Sequence, residues 1–100
     1  HGVEAQSNFT ITHGQAVAIG MAIVSKAACP TIYTDLCSVL KKFNLPTSTA
    51  FSANQLYRSA LSDKKRSGGS VNLIIPREIG HCQIVPTPVE KLESFIEEGL

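Results

Sequence analysis

The run from Ala16 to Val24 holds nine apolar or small residues, interrupted only by Gly20. A helix that spans a bilayer needs about 20 such residues. This run is therefore too short for a membrane and has to be covered by protein. Just before it, Thr12 and Gln15 have the spacing of a capping box, which predicts a helix from Thr12 to about Ala28. Small Ala16, Ala18, Gly20 and Ala22 are interleaved with Val17, Ile19, Met21, Ile23 and Val24, so the helix is apolar nearly all round. It should sit centrally and be contacted on several sides, with Gly20 allowing close backbone approach and Pro30 ending it. With 43% hydrophobic and 17% charged positions, 100 residues can wrap one small core around such a helix but not build two.

The flanking segments supply the wrapping. His1 to Gln6 has the character of a helix tail, and Ser7 to Thr12 is a polar connector with Phe9 and Ile11 as anchors. An amphipathic helix is expected from about Ile32 to Phe43, with Leu36, Val39, Leu40 and Phe43 on its buried face. Asn44 to Phe51 reads as a connector in which Leu45 and Phe51 seek burial. Ser52 to Leu61 forms a third helix capped by Ser52 and Gln55. Asp63 to Ser70 is a charge cluster running into a diglycine turn. Alternating Val71, Leu73 and Ile75, then Ile79 to Val85, predict a small hairpin. Thr87 as cap, Pro88 in the first turn and Glu90 at the third position open a last helix, with Val89, Leu92, Phe95 and Ile96 apolar and Gly99 at its end. The expected fold class is mainly α: one compact helical domain with a two-stranded β hairpin.

A formal net charge of +1 gives no field that would make nucleic acid or an anionic membrane the obligate partner. Lys64 to Arg66 are three contiguous cations with no aromatic stacking platform, a poor nucleic-acid surface. They fit either a solvated charge cluster or a grip on a phosphate or carboxylate, but the GGS that follows is not a P-loop. Cys29, Cys37 and Cys82 form an odd set without a CxxC pair. They are expected to be reduced, core or semi-buried side chains of an intracellular protein, and no partner for thiolate activation is indicated. Residue 1 is His rather than Met, an expectation of processing or of a boundary upstream.

His13 carries the strongest chemical signal. At the start of an apolar helix the dipole disfavours imidazolium, and the neutral ring suits either a metal ligand or a buried histidine satisfied by a backbone carbonyl. His1 and Glu4 share a helix face and can meet His13 across the connector. One histidine and one acid do not complete a site of about four ligands, and the pattern is not HExxH. His81 is expected to be an exposed loop or strand histidine.

Two blocks, HGVEAQSNFTITHGQAVAIGM from His1 to Met21 and LSDKKRSGGSVNLIIPREIG from Leu61 to Gly80, resemble the 3-dehydroquinate synthase family. There the first block reads GHxxGHAxE, a spacer, then HGEAVAxGM, and the second carries DKK, a glycine-containing turn and an apolar strand. LKKFNLPTS between them and the closing helix are also similar. The resemblance covers essentially the whole chain and implies a C-terminal helical domain that binds metal and substrate, with an N-terminal NAD-binding domain absent from these residues.

By that resemblance, His13 matches a metal-ligand histidine. His1 matches an active-site histidine associated with proton transfer. Lys64 or Lys65, Lys64 by slight preference, matches a lysine that contacts the substrate anion. Gln15 stands where the family usually has Glu, a neighbour that orients the metal-bound ring. The other two protein ligands would lie before residue 1. The family's enzymes use NAD and one divalent metal, zinc or cobalt, to convert 3-deoxy-D-arabino-heptulosonate 7-phosphate to 3-dehydroquinate and phosphate on the shikimate route to aromatic amino acids. The resemblance thus implies a cytoplasmic phosphate lyase, possible homodimerisation, and no activity for these residues by themselves. A related sugar-phosphate cyclase such as 2-deoxy-scyllo-inosose synthase shares the scaffold. A helical interaction module without catalysis is the alternative from another class.

Overall fold

The computed structural model describes residues 1–62 and 69–100. The expected charge cluster, with Lys64, Lys65 and Arg66, lies outside the described residues. Among the described residues, five helices and one hairpin follow in the order α1 (Gly2–Gln6), α2 (His13–Ala28), α3 (Pro30–Lys42), α4 (Ala53–Leu61), β1 (Ser70–Glu78), β2 (His81–Pro88) and α5 (Val89–Gly99). The mainly α fold class with a two-stranded antiparallel sheet is as the sequence predicts.

Helix α2 is the centre, packed against α1, α3, α5 and β1. Its core side chains Ala16, Ile19 and Ile23 meet Val3 of α1, Leu56 of α4, and Leu92 and Ile96 of α5. Burying each of the larger aliphatics contributes about 1.5–3 kcal/mol. The expected contact on several sides holds for most of the helix, yet Val17 and Met21 are nearly half exposed. The expected close approach at Gly20 is absent, because a Cβ added there would meet nothing within 4 Å. The tightest of the described glycines is instead Gly99 of α5, where a Cβ would lie 2.2 Å from the Ile23 carbonyl oxygen.

Both predicted capping boxes form. Gln15 N donates to Thr12 Oγ1 at 3.1 Å while Gln15 Oε1 accepts from Thr12 N at 2.9 Å. Ser52 and Gln55 repeat the arrangement at 3.2 and 2.8 Å. The cap of α5 differs from the expectation. Strand β2 continues to Pro88, so Thr87 pairs with Val71 and its hydroxyl donates to Val85 O at 3.0 Å. Pro88 becomes the cap residue and Val89 N donates to Gly69 O at 3.0 Å.

Pro30 does end α2, and it also starts α3 two residues earlier than periodicity suggests. Cys29 before it is held out of the helical region, at φ −150° and ψ 75°, by the clash that a following proline imposes. Because α3 packs on α2 along one narrow face, Cys37 and Leu40 are buried whereas Val39 and Phe43, expected inside, are 52% and 68% exposed. Phe9, expected as an anchor, is exposed as well, while Ile11 packs on the core.

Asparagine closes two helices. Asn8 (φ 53°) follows α1, with Asn8 N donating to Ala5 O and Phe9 N to Glu4 O; Asn44 (φ 59°) follows α3 with the same pair of bonds to Lys41 O and Leu40 O. These are Schellman caps in which Asn accepts the left-handed conformation usually given to glycine.

In the hairpin, Val71, Leu73 and Ile75 face inward as predicted, and Ile74 and Ile84 pair on the outer face. Ile79 and Gly80, expected to lie in the second strand, form the turn, where Gly80 takes φ 85°. Pro76 continues β1 because each strand of a two-stranded sheet is an edge, where a missing N–H is tolerated.

Candidate functional site

The site is built where α1 and α2 meet. Helix α1 has five residues, too few to be stable alone, so its position is set by docking. Val3 enters the core, and Gln6 Nε2 donates to Gln55 O at 3.1 Å and Ser59 Oγ at 2.9 Å on α4. Between these anchors lies Glu4. The Schellman cap then reverses the chain, with Ser7 Oγ also donating to Glu4 O at 2.8 Å, and delivers it to the Thr12 cap. His13, first residue of α2, thereby arrives beside Glu4, and its Nδ1 is hydrogen-bonded to Glu4 Oε1.

The pair is unevenly exposed: the Glu4 side chain is 15% accessible and the His13 side chain 75%. The reading of His13 as a buried histidine paired with a backbone carbonyl is thereby corrected. The ring stands outward and its partner is a carboxylate. An imidazole held through one nitrogen with the ring open to solvent can offer its second nitrogen to a metal or a proton. His13 therefore fits as one ligand of a divalent ion. Among the described residues no group of three or more His, Cys, Asp or Glu side chains could hold one.

His1 is the cap residue of α1, one turn before Glu4, and its carbonyl accepts from Ala5 N at 2.9 Å. It borders a cavity of about 260 Å³ that reaches inward past Val3, Leu56 and Ile96. Gln15 lies on the first turn of α2, its amide oxygen engaged by Thr12 N. His81 is exposed on β2, as expected. The cysteines are free; Cys37 is buried and Cys29 half-buried, but Cys82, expected inside, is exposed on the outer face of β2. Lys64 and Lys65 lie outside the described residues. The sequence thus brings Glu4 to His13 as the shared-face argument predicts. It gives no sign that Asn8 and Phe9 (φ 59°) both adopt left-handed backbone to make the meeting possible.

An apolar cleft of about 330 Å³ lies between α2 and the hairpin, lined by Gly20, Met21, Val24, Ser25, Ile74, Pro76 and Cys82. His13 is not part of it, and among the described residues Cys82 is the titratable group that lines it. No helix among the described residues is long and apolar enough to cross a membrane.

Comparison with known proteins places these features in a lineage. The family model described as 3-dehydroquinate synthase C-terminal matches residues 1–66, which include α1, α2 and the His13 site. Curated relatives named 3-dehydroquinate synthase extend the likeness through the hairpin and α5. The protein of Streptococcus gordonii is 34% identical over 98% of the chain and 30% of the relative. That of Sulfurisphaera tokodaii is 34% identical over 100% and 32%, and that of Clostridium perfringens 39% identical over 93% and 29%. The chain therefore spans about 30% of the length of the curated relatives it matches. No solved structure matches it significantly. From a match over residues 1–66 and relatives aligned along nearly all of the chain, the chain belongs to the 3-dehydroquinate synthase C-terminal family.

Proposed function

We propose that these residues form the C-terminal, metal- and substrate-binding part of a 3-dehydroquinate synthase, in which His13 supplies one ligand to a divalent ion. The observation that carries the reading is His13 itself, an outward-facing ring on a capped helix, held by a carboxylate, inside the segment that matches the family. The relatives' names favour this substrate over that of other sugar-phosphate cyclases.

In this reading His13 would hold zinc or cobalt together with two ligands from outside the chain, and the ion would supply Lewis-acid polarisation to substrate hydroxyl oxygens. His1 moves a proton near the same site, and Lys64 or Lys65 holds a substrate anion as a mobile point charge. NAD belongs to a separate N-terminal domain, which is the expected partner alongside the sugar phosphate and a possible second copy. Free cysteines suit a reducing compartment and a cytoplasmic location. Without the other ligands and the nucleotide domain, the 100 residues by themselves are inactive.

A chimera tests the reading: the corresponding C-terminal part of the Streptococcus gordonii relative is replaced by this chain, and phosphate release is measured with NAD, zinc and 3-deoxy-D-arabino-heptulosonate 7-phosphate. Turnover that disappears in His13→Ala is expected. A folded, NAD-binding chimera whose turnover ignores His13→Ala contradicts the reading.

One observation favours the interaction-module alternative. Ile74, Ile84 and Met21 expose apolar surface around the cleft on α2 and the hairpin. That alternative predicts concentration-dependent oligomerisation with no response to metal or anion, readable by analytical ultracentrifugation.

A further inference from the structure

We infer that Glu4 is a positioning residue: its carboxylate holds the proton of His13 on Nδ1 and so aims Nε2 at the metal. The inference rests on the reading of His13 as a ligand, and adds to it a residue and a tautomer. The argument starts from hydrogen-bond chemistry. An ionised carboxylate only accepts, so the contact between Glu4 Oε1 and His13 Nδ1 requires the proton on Nδ1. The lone pair is then on Nε2, the far corner of a ring that is 75% exposed.

Both partners are mounted on fixed supports. Val3 and Gln6 anchor α1 on either side of Glu4, and the Schellman cap holds its carbonyl. The Thr12–Gln15 box fixes the first turn of α2, which carries His13. With side-chain exposure of only 15%, Glu4 has little room to exchange this bond for water. Gln15, the nearer candidate by sequence, has its amide oxygen bonded to Thr12 N. A carboxylate that fixes ring orientation and raises ligand basicity is worth about 10–100-fold in metal affinity where such pairs have been altered.

The test reads the ring directly. Long-range ¹H–¹⁵N spectra of the 100-residue chain, recorded near pH 8 where an ordinary imidazole is neutral, report which nitrogen of His13 carries the proton. The His13 signals are identified by their loss in His13→Gln. Wild type is expected in the Nδ1–H form. Glu4→Ala reverts to the Nε2–H form preferred by free histidine, whereas Glu4→Gln, whose amide oxygen can still accept, retains Nδ1–H in part. Far-UV circular dichroism confirms that each variant is folded, and a purely structural role for Glu4 would leave the tautomer unchanged. In a second arm, Co²⁺ is titrated into the chimera that supplies the remaining ligands and followed by its visible absorption, and Glu4→Ala is expected to need at least about 10-fold more Co²⁺ for half-saturation. An Nε2–H ring in wild type, or an Nδ1–H ring that survives Glu4→Ala, overturns the inference. A Glu4-dependent tautomer, with Co²⁺ binding to the chimera unchanged by His13→Ala, overturns the ligand reading instead.

Discussion

Replacing Gly99 by alanine sets two effects of opposite sign against each other. Alanine is favoured over glycine inside a helix by about 0.8–1.0 kcal/mol, so helix propensity alone would make Gly99→Ala stabilising. Packing opposes it. The added Cβ would lie 2.2 Å from Ile23 O, 2.5 Å from Ile23 Cγ2 and 2.8 Å from Ile23 C. Two of these atoms are backbone of the central helix, so no rotamer change relieves the overlap, and the end of α5 must lift by about 1 Å. Overpacking of this kind costs about 1–3 kcal/mol.

The loss has a ceiling, since the last turn can undock. Undocking exposes part of Ile96, which is 9% accessible, and breaks the exposed Lys26 Nζ to Leu100 O bond of 2.9 Å. Burial of one aliphatic side chain, about 1.5–3 kcal/mol, bounds that cost. The net expectation is a loss of up to about 2 kcal/mol, which for a chain of this size lowers Tm by up to about 16 °C. Gly20→Ala is the matched control, in mid-α2 with nothing within 4 Å of the new methyl. There propensity acts alone, and a gain of up to about 1 kcal/mol is expected. Urea and thermal unfolding followed by circular dichroism measure both. A stabilising Gly99→Ala, or a Gly20→Ala that destabilises by more than about 1 kcal/mol, would refute the reasoning.

Three further outcomes are expected. Leu56→Ala removes a 4% accessible side chain from the junction of α1, α2, α4 and α5 and should cost about 2–5 kcal/mol in urea unfolding; Val39→Ala, at a 52% accessible position, should stay within about 0.5 kcal/mol. Thr12→Ala removes the acceptor for Gln15 N and should destabilise by about 0.5–2 kcal/mol, and equal stability would show that the cap contributes nothing. The Tyr33 phenol is held above its ordinary value, first by hydrogen bonding with the Cys37 side chain and then by the negative charge of that sulfur as thiolate. In an ultraviolet titration, Cys37→Ala should therefore let Tyr33 deprotonate at lower pH.

The legible parts of this fold were those encoded within a few residues. Thr12 with Gln15 and Ser52 with Gln55 state their helix starts locally, and the inner face of β1 follows from the alternation of Val71, Leu73 and Ile75. What failed depended on neighbours remote in sequence. Whether Gly20 or Gly99 needs to be glycine is decided by where α5 crosses α2. Val39 and Phe43 have the spacing of a buried stripe, but α3 meets only part of α2 and leaves them outside. Thr87 has the residue type of a cap, yet the ladder with Val71 claims it first.

The site divides in the same way. His13 and its meeting with Glu4 were legible from helix placement and spacing. That His13 is exposed was not, since it depends on the reversal through Asn8 and Phe9.

The most direct test of the central claim is a zinc-edge anomalous diffraction map from crystals of the chimera that carries these 100 residues. The account predicts an anomalous peak about 2.0–2.1 Å from His13 Nε2, with Nδ1 still on Glu4. A zinc peak without His13 in its coordination shell, or bound through Nδ1 with Glu4 displaced, would contradict it.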